Sequence, residues 1–107
     1  MKIEVLYVPD CPSHRAAVEL VEDILASSGF TEKVEEVLVS NQTMAVDLKF
    51  PGSPTIRING LDVAAESPVG QAFAFTCRLY LGSEQLGLPP VDLVRRAVIE
   101  AAGGERP

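Results

Sequence analysis

The period of the hydrophobic pattern changes twice between residues 3 and 39, and this limits the folds open to the chain. Ile3-Glu4-Val5-Leu6-Tyr7-Val8 is rich in β-branched and aromatic residues and reads as a strand buried largely on both faces. Pro9-Asp10 ends it. From Pro12 onward Ala17, Leu20, Val21, Ile24 and Leu25 fall at i, i+3, i+4, i+7 and i+8, one face of a helix. Arg15, Glu19, Glu22 and Asp23 take the other side, and Gly29 stands where a C′ residue is expected. Val34-Glu35-Glu36-Val37-Leu38-Val39 then returns to strand composition. Strand, helix and strand in so short a span make a βαβ unit, which requires parallel pairing through a crossover.

The remainder of the chain predicts an α/β domain of order β-α-β-α-β-β-α. Residues 42–49 predict a short helix with Met44, Ala45 and Leu48 on one side, and Phe50-Pro51-Gly52-Ser53-Pro54 stops it. Thr55-Ile56-Arg57-Ile58 predicts a strand. Asn59-Gly60 predicts a type I′ turn, because both residues tolerate positive φ. Leu61-Asp62-Val63-Ala64 then runs back antiparallel. The result is a four-stranded mixed sheet flanked by helices, with an irregular insertion at about 65–89. Pro90 opens a final helix whose stripe is Val94, Ala97, Val98 and Ala101, ended by Gly103-Gly104. At 107 residues, with a hydrophobic share of 47%, one domain over 1–107 is expected, with a core of its own.

Charge narrows the function classes. A formal net charge of -6 argues against a nucleic-acid partner, which needs a basic face for phosphates, and against docking on an anionic membrane. No segment approaches the roughly 20 apolar residues of a membrane span, and Glu4 interrupts the first apolar run before it could be a signal-peptide core. A cytoplasmic location is expected, where thiols are kept reduced. No Gly-rich phosphate loop, no HExxH and no Gly-x-Ser-x-Gly occurs, and a hydrolase is set aside; no cofactor is expected and no residue is assigned as a metal ligand.

Cys11 is the first candidate for chemistry. It falls at the carboxyl end of a parallel strand and the start of a helix, where α/β folds bind ligands. With Pro12 at the first helical position, Cys11 is expected at the N-cap, where free N–H groups and the helix dipole favour thiolate. His14 then falls three residues on, at N3, and its imidazole can reach back toward the sulfur as a proton acceptor or a stabilising charge. The structural alternatives are a small buried cysteine and a solvated helix-end histidine.

Cys11-Pro12-Ser13-His14 after strand one, Ser53-Pro54-Thr55 before strand three and the hairpin through Asn59-Gly60 together resemble the thioredoxin superfamily. The chain is also similar to short thioredoxin-like proteins with Val-Pro-Asp-Cys-Pro, Ser-Pro-Thr-Ile and Cys-Arg-Leu-Tyr segments, matched here at 8–12, 53–56 and 77–80. The resemblance implies a cis bond before Pro54, packed beside Cys11, with Pro12, Ser53 and Pro54 beside the substrate. His14 stands where redox members of the family carry a second cysteine. Cys11 must therefore act alone or with a thiol from elsewhere, and Cys77 is the sole internal candidate. Cys77 can equally be a packed core residue. Three functions stay open: a thiol redox protein acting on protein or small-molecule thiols and disulfides, a soft-metal thiol module for mercury, copper or zinc, and a catalytically silent interaction domain.

Overall fold

The computed structural model describes residues 1–64 and 88–103. The elements are β1 (Ile3–Tyr7), α1 (His14–Ser27), β2 (Val34–Leu38), α2 (Gln42–Asp47), β3 (Thr55–Ile58), β4 (Leu61–Asp62) and α3 (Val91–Ala101). They follow the expected β-α-β-α-β-β-α order. Residues 65–87, which hold most of the expected irregular insertion and Cys77, lie outside the described residues.

The strands form one mixed sheet in the order β2-β1-β3-β4. β1 pairs parallel with β2, Ile3 opposite Val34 and Tyr7 opposite Leu38. On its other edge β1 pairs antiparallel with β3, Ile3 opposite Ile58 and Leu6 opposite Thr55. Alternation along β1 sends Ile3 and Val5 to one face and Leu6 to the other. Ile3, Val5, Ile56 and Ile58 pack with Ala17, Val18, Val21, Ile24 and Leu25 of α1 and with Val94 and Val98 of α3. Leu6 and Val8 pack on the opposite side with Val39, Ala45 and Phe50. Helices thus lie on both faces, α1 and α3 on one and α2 on the other. Each fully buried Val, Ile or Leu contributes roughly 1.5–3 kcal/mol, so these stripes fix the layers far more strongly than any cap does.

The helix ends follow local chemistry. At the end of α1 the Gly29 N–H donates to Ala26 O and the Phe30 N–H to Leu25 O, with Gly29 at φ +83°. This is a Schellman motif, and Phe30 completes it by packing on the core. α2 begins at Asn41, whose side chain accepts from the Met44 N–H. It stops at Asp47, short of the expected residue 49, because the chain turns left-handed at Lys49 (φ 54°). There the Lys49 N–H donates to Val46 O and the Phe50 N–H to Ala45 O, a second Schellman motif that drops Phe50 into the core. Arg57 of β3 donates to the carbonyls of Leu48 (2.6 Å) and Lys49 (2.9 Å), fastening the end of α2 to the sheet.

The expected Asn59-Gly60 turn is present, with φ values of 54° and 84°. Asn59 also extends the sheet: its N–H donates to Lys2 O, and its Oδ1 accepts from the Lys2 N–H. β4 is two residues long rather than four. Val63 N–H still reaches Ile56 O, but the Ala64 N–H bonds the Asp62 carboxylate and leaves the ladder.

Lys49 holds a backbone conformation that disfavours any side chain carrying a Cβ. Lys49→Gly is expected to raise unfolding stability by about 0.5–1 kcal/mol, read from the denaturant midpoint at unchanged slope.

Candidate functional site

Cys11 stands where two turns meet. In the first, the Cys11 N–H donates to Val8 O at 3.3 Å, with Pro9 and a left-handed Asp10 (φ 60°) between them. Proline at the first central position and positive φ at the second are the marks of a type II turn, and Asp is among the residues that tolerate that conformation. In the second, the His14 N–H donates to Cys11 O at 3.3 Å, with Pro12 and Ser13 between. Ser13, at φ −102° and ψ 4°, has the geometry of the third residue of a type I turn. The two Pro-led pairs, Pro9-Asp10 and Pro12-Ser13, therefore set the path of the loop on either side of the cysteine.

This arrangement corrects the expected helix start. The N-cap of α1 is Ser13 and not Cys11, and His14 is the first helical residue rather than the third. The type I turn consumes residues 11–14 before the helix can begin. The helix N–H nearest to Cys11 is taken by its backbone carbonyl, not by its sulfur.

His14 is placed differently from the expectation. Its ring stacks on Tyr7, with centroids 3.6 Å apart and planes 7° apart. Its Nε2 donates to Glu36 Oε1 at 2.6 Å, a charge-assisted bond because the carboxylate can only accept. Tyr7 and Glu36 lie on the α1 face of β1 and β2. Cys11 packs on the opposite side, against the cluster of Leu6, Val8, Val39, Ala45 and Phe50. The imidazole is thus directed along the sheet to Glu36 and not back to the sulfur.

Of the remaining predicted residues, Ser53 reaches the base of the cysteine loop from just before β3, and Cys77 lies outside the described residues. The Ser53–Pro54 peptide bond is cis. Ser53 is 1% exposed, and its Oγ accepts from the Val8 N–H at 3.0 Å. Val8 lies one residue beyond β1 and two beyond Leu6, the last β1 residue paired with β3, so Ser53 supplies the partner that the ladder no longer offers. Pro54 is fully buried. Cys11 is half-buried with a free thiol, and Pro12 beside it is exposed. Of the residues expected near substrate, Pro12 is therefore open to solvent, whereas Ser53 and Pro54 are buried, Ser53 against the backbone of Val8. Among the described residues no three His, Cys, Asp or Glu side chains gather as a metal site, and no helix is long and apolar enough to cross a membrane.

Sequence reasoning missed Glu36 and Tyr7. Glu36 reads as one of two charges on a strand, and only the β1–β2 register reveals that it shares a face with Tyr7 and the start of α1. Nothing local in the sequence sets that register, since the crossover between parallel strands is long.

Comparison with family models, with curated proteins and with solved structures returned no match to this chain.

Ser53→Ala leaves the Val8 N–H buried without its partner. It is expected to cost about 1–3 kcal/mol in unfolding stability, whereas Ser53→Thr, which keeps the hydroxyl, is expected to cost less. Chemical denaturation of the two variants side by side checks this.

Proposed function

We propose that the chain is a thioredoxin-like thiol redox protein that uses Cys11 as its nucleophile, with Cys77 or an external thiol as the resolving group. The observation that carries this is the buried Val8–Ser53 hydrogen bond, which ties the segment holding the cis Ser53–Pro54 bond to the start of the turn that leads into Cys11. The order of elements supports it: a parallel β1–β2 pair, then an antiparallel hairpin, then a closing helix. The half-buried free thiol beside an exposed Pro12 supports it further, because an attacking sulfur must be reachable.

The chemistry is thiol–disulfide exchange. The Cys11 thiolate attacks one sulfur of a substrate disulfide, the new S–S bond forms, and the other substrate sulfur leaves as thiolate. A second thiol then attacks Cys11 Sγ in the mixed disulfide and releases the first substrate sulfur. The substrate disulfide is reduced to two thiols, while Cys11 and the resolving thiol are oxidised to a disulfide. Reduction of that disulfide by a cytoplasmic thiol pool closes the cycle. Partners are protein or small-molecule thiols and disulfides, and an acidic chain gives no footing to nucleic acid.

His14 does not take the part of proton acceptor in this scheme, since its ring is stacked on Tyr7 and turned toward Glu36, whereas Cys11 packs on the cluster of the opposite face. His14→Ala should therefore cost far less activity than loss of the sulfur.

The test is turnover of a mixed peptide disulfide under a thiol reductant. Cys11→Ser is expected to lose at least about a hundredfold of the rate, the scale associated with removing a covalent nucleophile. Full activity in Cys11→Ser would sink the redox assignment. Activity lost in Cys77→Ser but rescued by added glutathione would make Cys77 the resolving thiol.

A further inference from the structure

The Cys11 loop hangs between two anchors. On the β3 side, the Val8 N–H is held by the buried Ser53 hydroxyl. On the β2 side, the anchor is His14. Its backbone N–H holds Cys11 O, and its ring is clamped between Tyr7 and the Glu36 carboxylate. Between the anchors, the two backbone bonds that shape the loop are both 3.3 Å, beyond the usual N–H···O range. Such turns keep their shape mainly through what holds their ends. A histidine at the start of a helix is ordinarily free to change rotamer. This one is fixed by three elements at once: β1 through Tyr7, β2 through Glu36, and α1 through its own backbone.

We propose that Glu36, acting through His14, is a positioning residue for Cys11: the Glu36–His14–Tyr7 clamp holds the 11–14 turn and thereby sets how far the thiol is presented to solvent. The inference rests on the thiol reading for its purpose, but what it states is a mechanical coupling between β2 and the cysteine. Glu36 touches no reacting atom. It fixes the imidazole, the imidazole fixes the first residue of α1, and the N–H of that residue fixes the carbonyl of Cys11. The charge of Glu36 is incidental to this role. What counts is a hydrogen-bond acceptor at the Oε1 position.

The test is the alkylation rate of Cys11 by iodoacetamide, an uncharged probe, at one pH, followed at the peptide level so that Cys77 is read separately. Glu36→Ala and His14→Ala are each expected to speed alkylation by about three- to tenfold, the scale of losing one partly exposed hydrogen bond. The double variant is expected to react no faster than either single one, because both remove the same clamp. Glu36→Gln keeps an acceptor without the charge and is expected to stay within about twofold of the parent. Denaturant midpoints measured on the same samples separate local loosening from global loss. Equal rates throughout would overturn the proposal, as would additive effects, rates that simply track the midpoint, or a Gln variant that behaves like Ala, which would assign the effect to charge. Disulfide turnover by the parent protein is measured in parallel. Its absence would remove the redox reading and leave the alkylation pattern standing, so the two ideas fail separately.

Discussion

Burial of β1 on both faces is the constraint from which the rest of the molecule follows. Ile3 and Val5 need cover on one side, Leu6 and Val8 on the other. A strand of that kind is stable only between two layers, so the chain must send helices to both faces of the sheet. It must also pair both edges of β1, with β2 parallel and β3 antiparallel. The carboxyl end of such a central strand is where neighbouring strands and helix starts converge. The cysteine loop is placed at that end by the architecture, before any side-chain chemistry is considered.

The loop then depends on a handoff between kinds of hydrogen bond. As the ladder with β3 ends at Leu6, the Val8 N–H passes from strand pairing to the side chain of Ser53. The next donors are used by two successive turns, each led by a proline. This route leaves Cys11 half-buried, with its backbone satisfied and its side chain against an apolar cluster. Presentation of the thiol and integrity of the fold are therefore coupled at Ser53. On the opposite face His14 and Glu36 secure the other end of the same loop. Cys11 and His14 are three apart in sequence but engage different faces of the sheet, the imidazole with Tyr7 and Glu36 and the cysteine with the Leu6, Val8 and Phe50 cluster.

The layered α/β order could be read from the chain because each element carries its own signal. The six-residue run at 3–8, the 3.6-residue stripe from Ala17 to Leu25 and the Asn59-Gly60 turn all act locally, and the structure follows them closely. Boundaries set by turn chemistry were less accessible. Pro12 looked like the first residue of a helix, yet Pro12-Ser13 is a turn, and α1 starts two residues later. α2 ends early because Lys49 adopts a conformation that its residue type does not advertise. At the candidate site, the place of Cys11 between β1 and α1 follows from the order of elements, whereas the cis bond before Pro54 is implied only by the thioredoxin-like resemblance. The Tyr7–His14–Glu36 clamp was not accessible, because it depends on a parallel register fixed only by how α1 seats on the sheet.

The central claim is that Cys11 is the thiol that reacts first with a disulfide, and one measurement addresses it directly. The reduced protein is mixed with a slight excess of glutathione disulfide, quenched at short times, and peptide-mapped by mass spectrometry to locate the first glutathione adduct. The account predicts that the early adduct is on Cys11 and that it later gives way to a protein disulfide or to free thiol as a second thiol resolves it. An early adduct on Cys77 alone, with Cys11 unmodified throughout, would contradict the account and leave the Cys11 turn a structural feature of the fold.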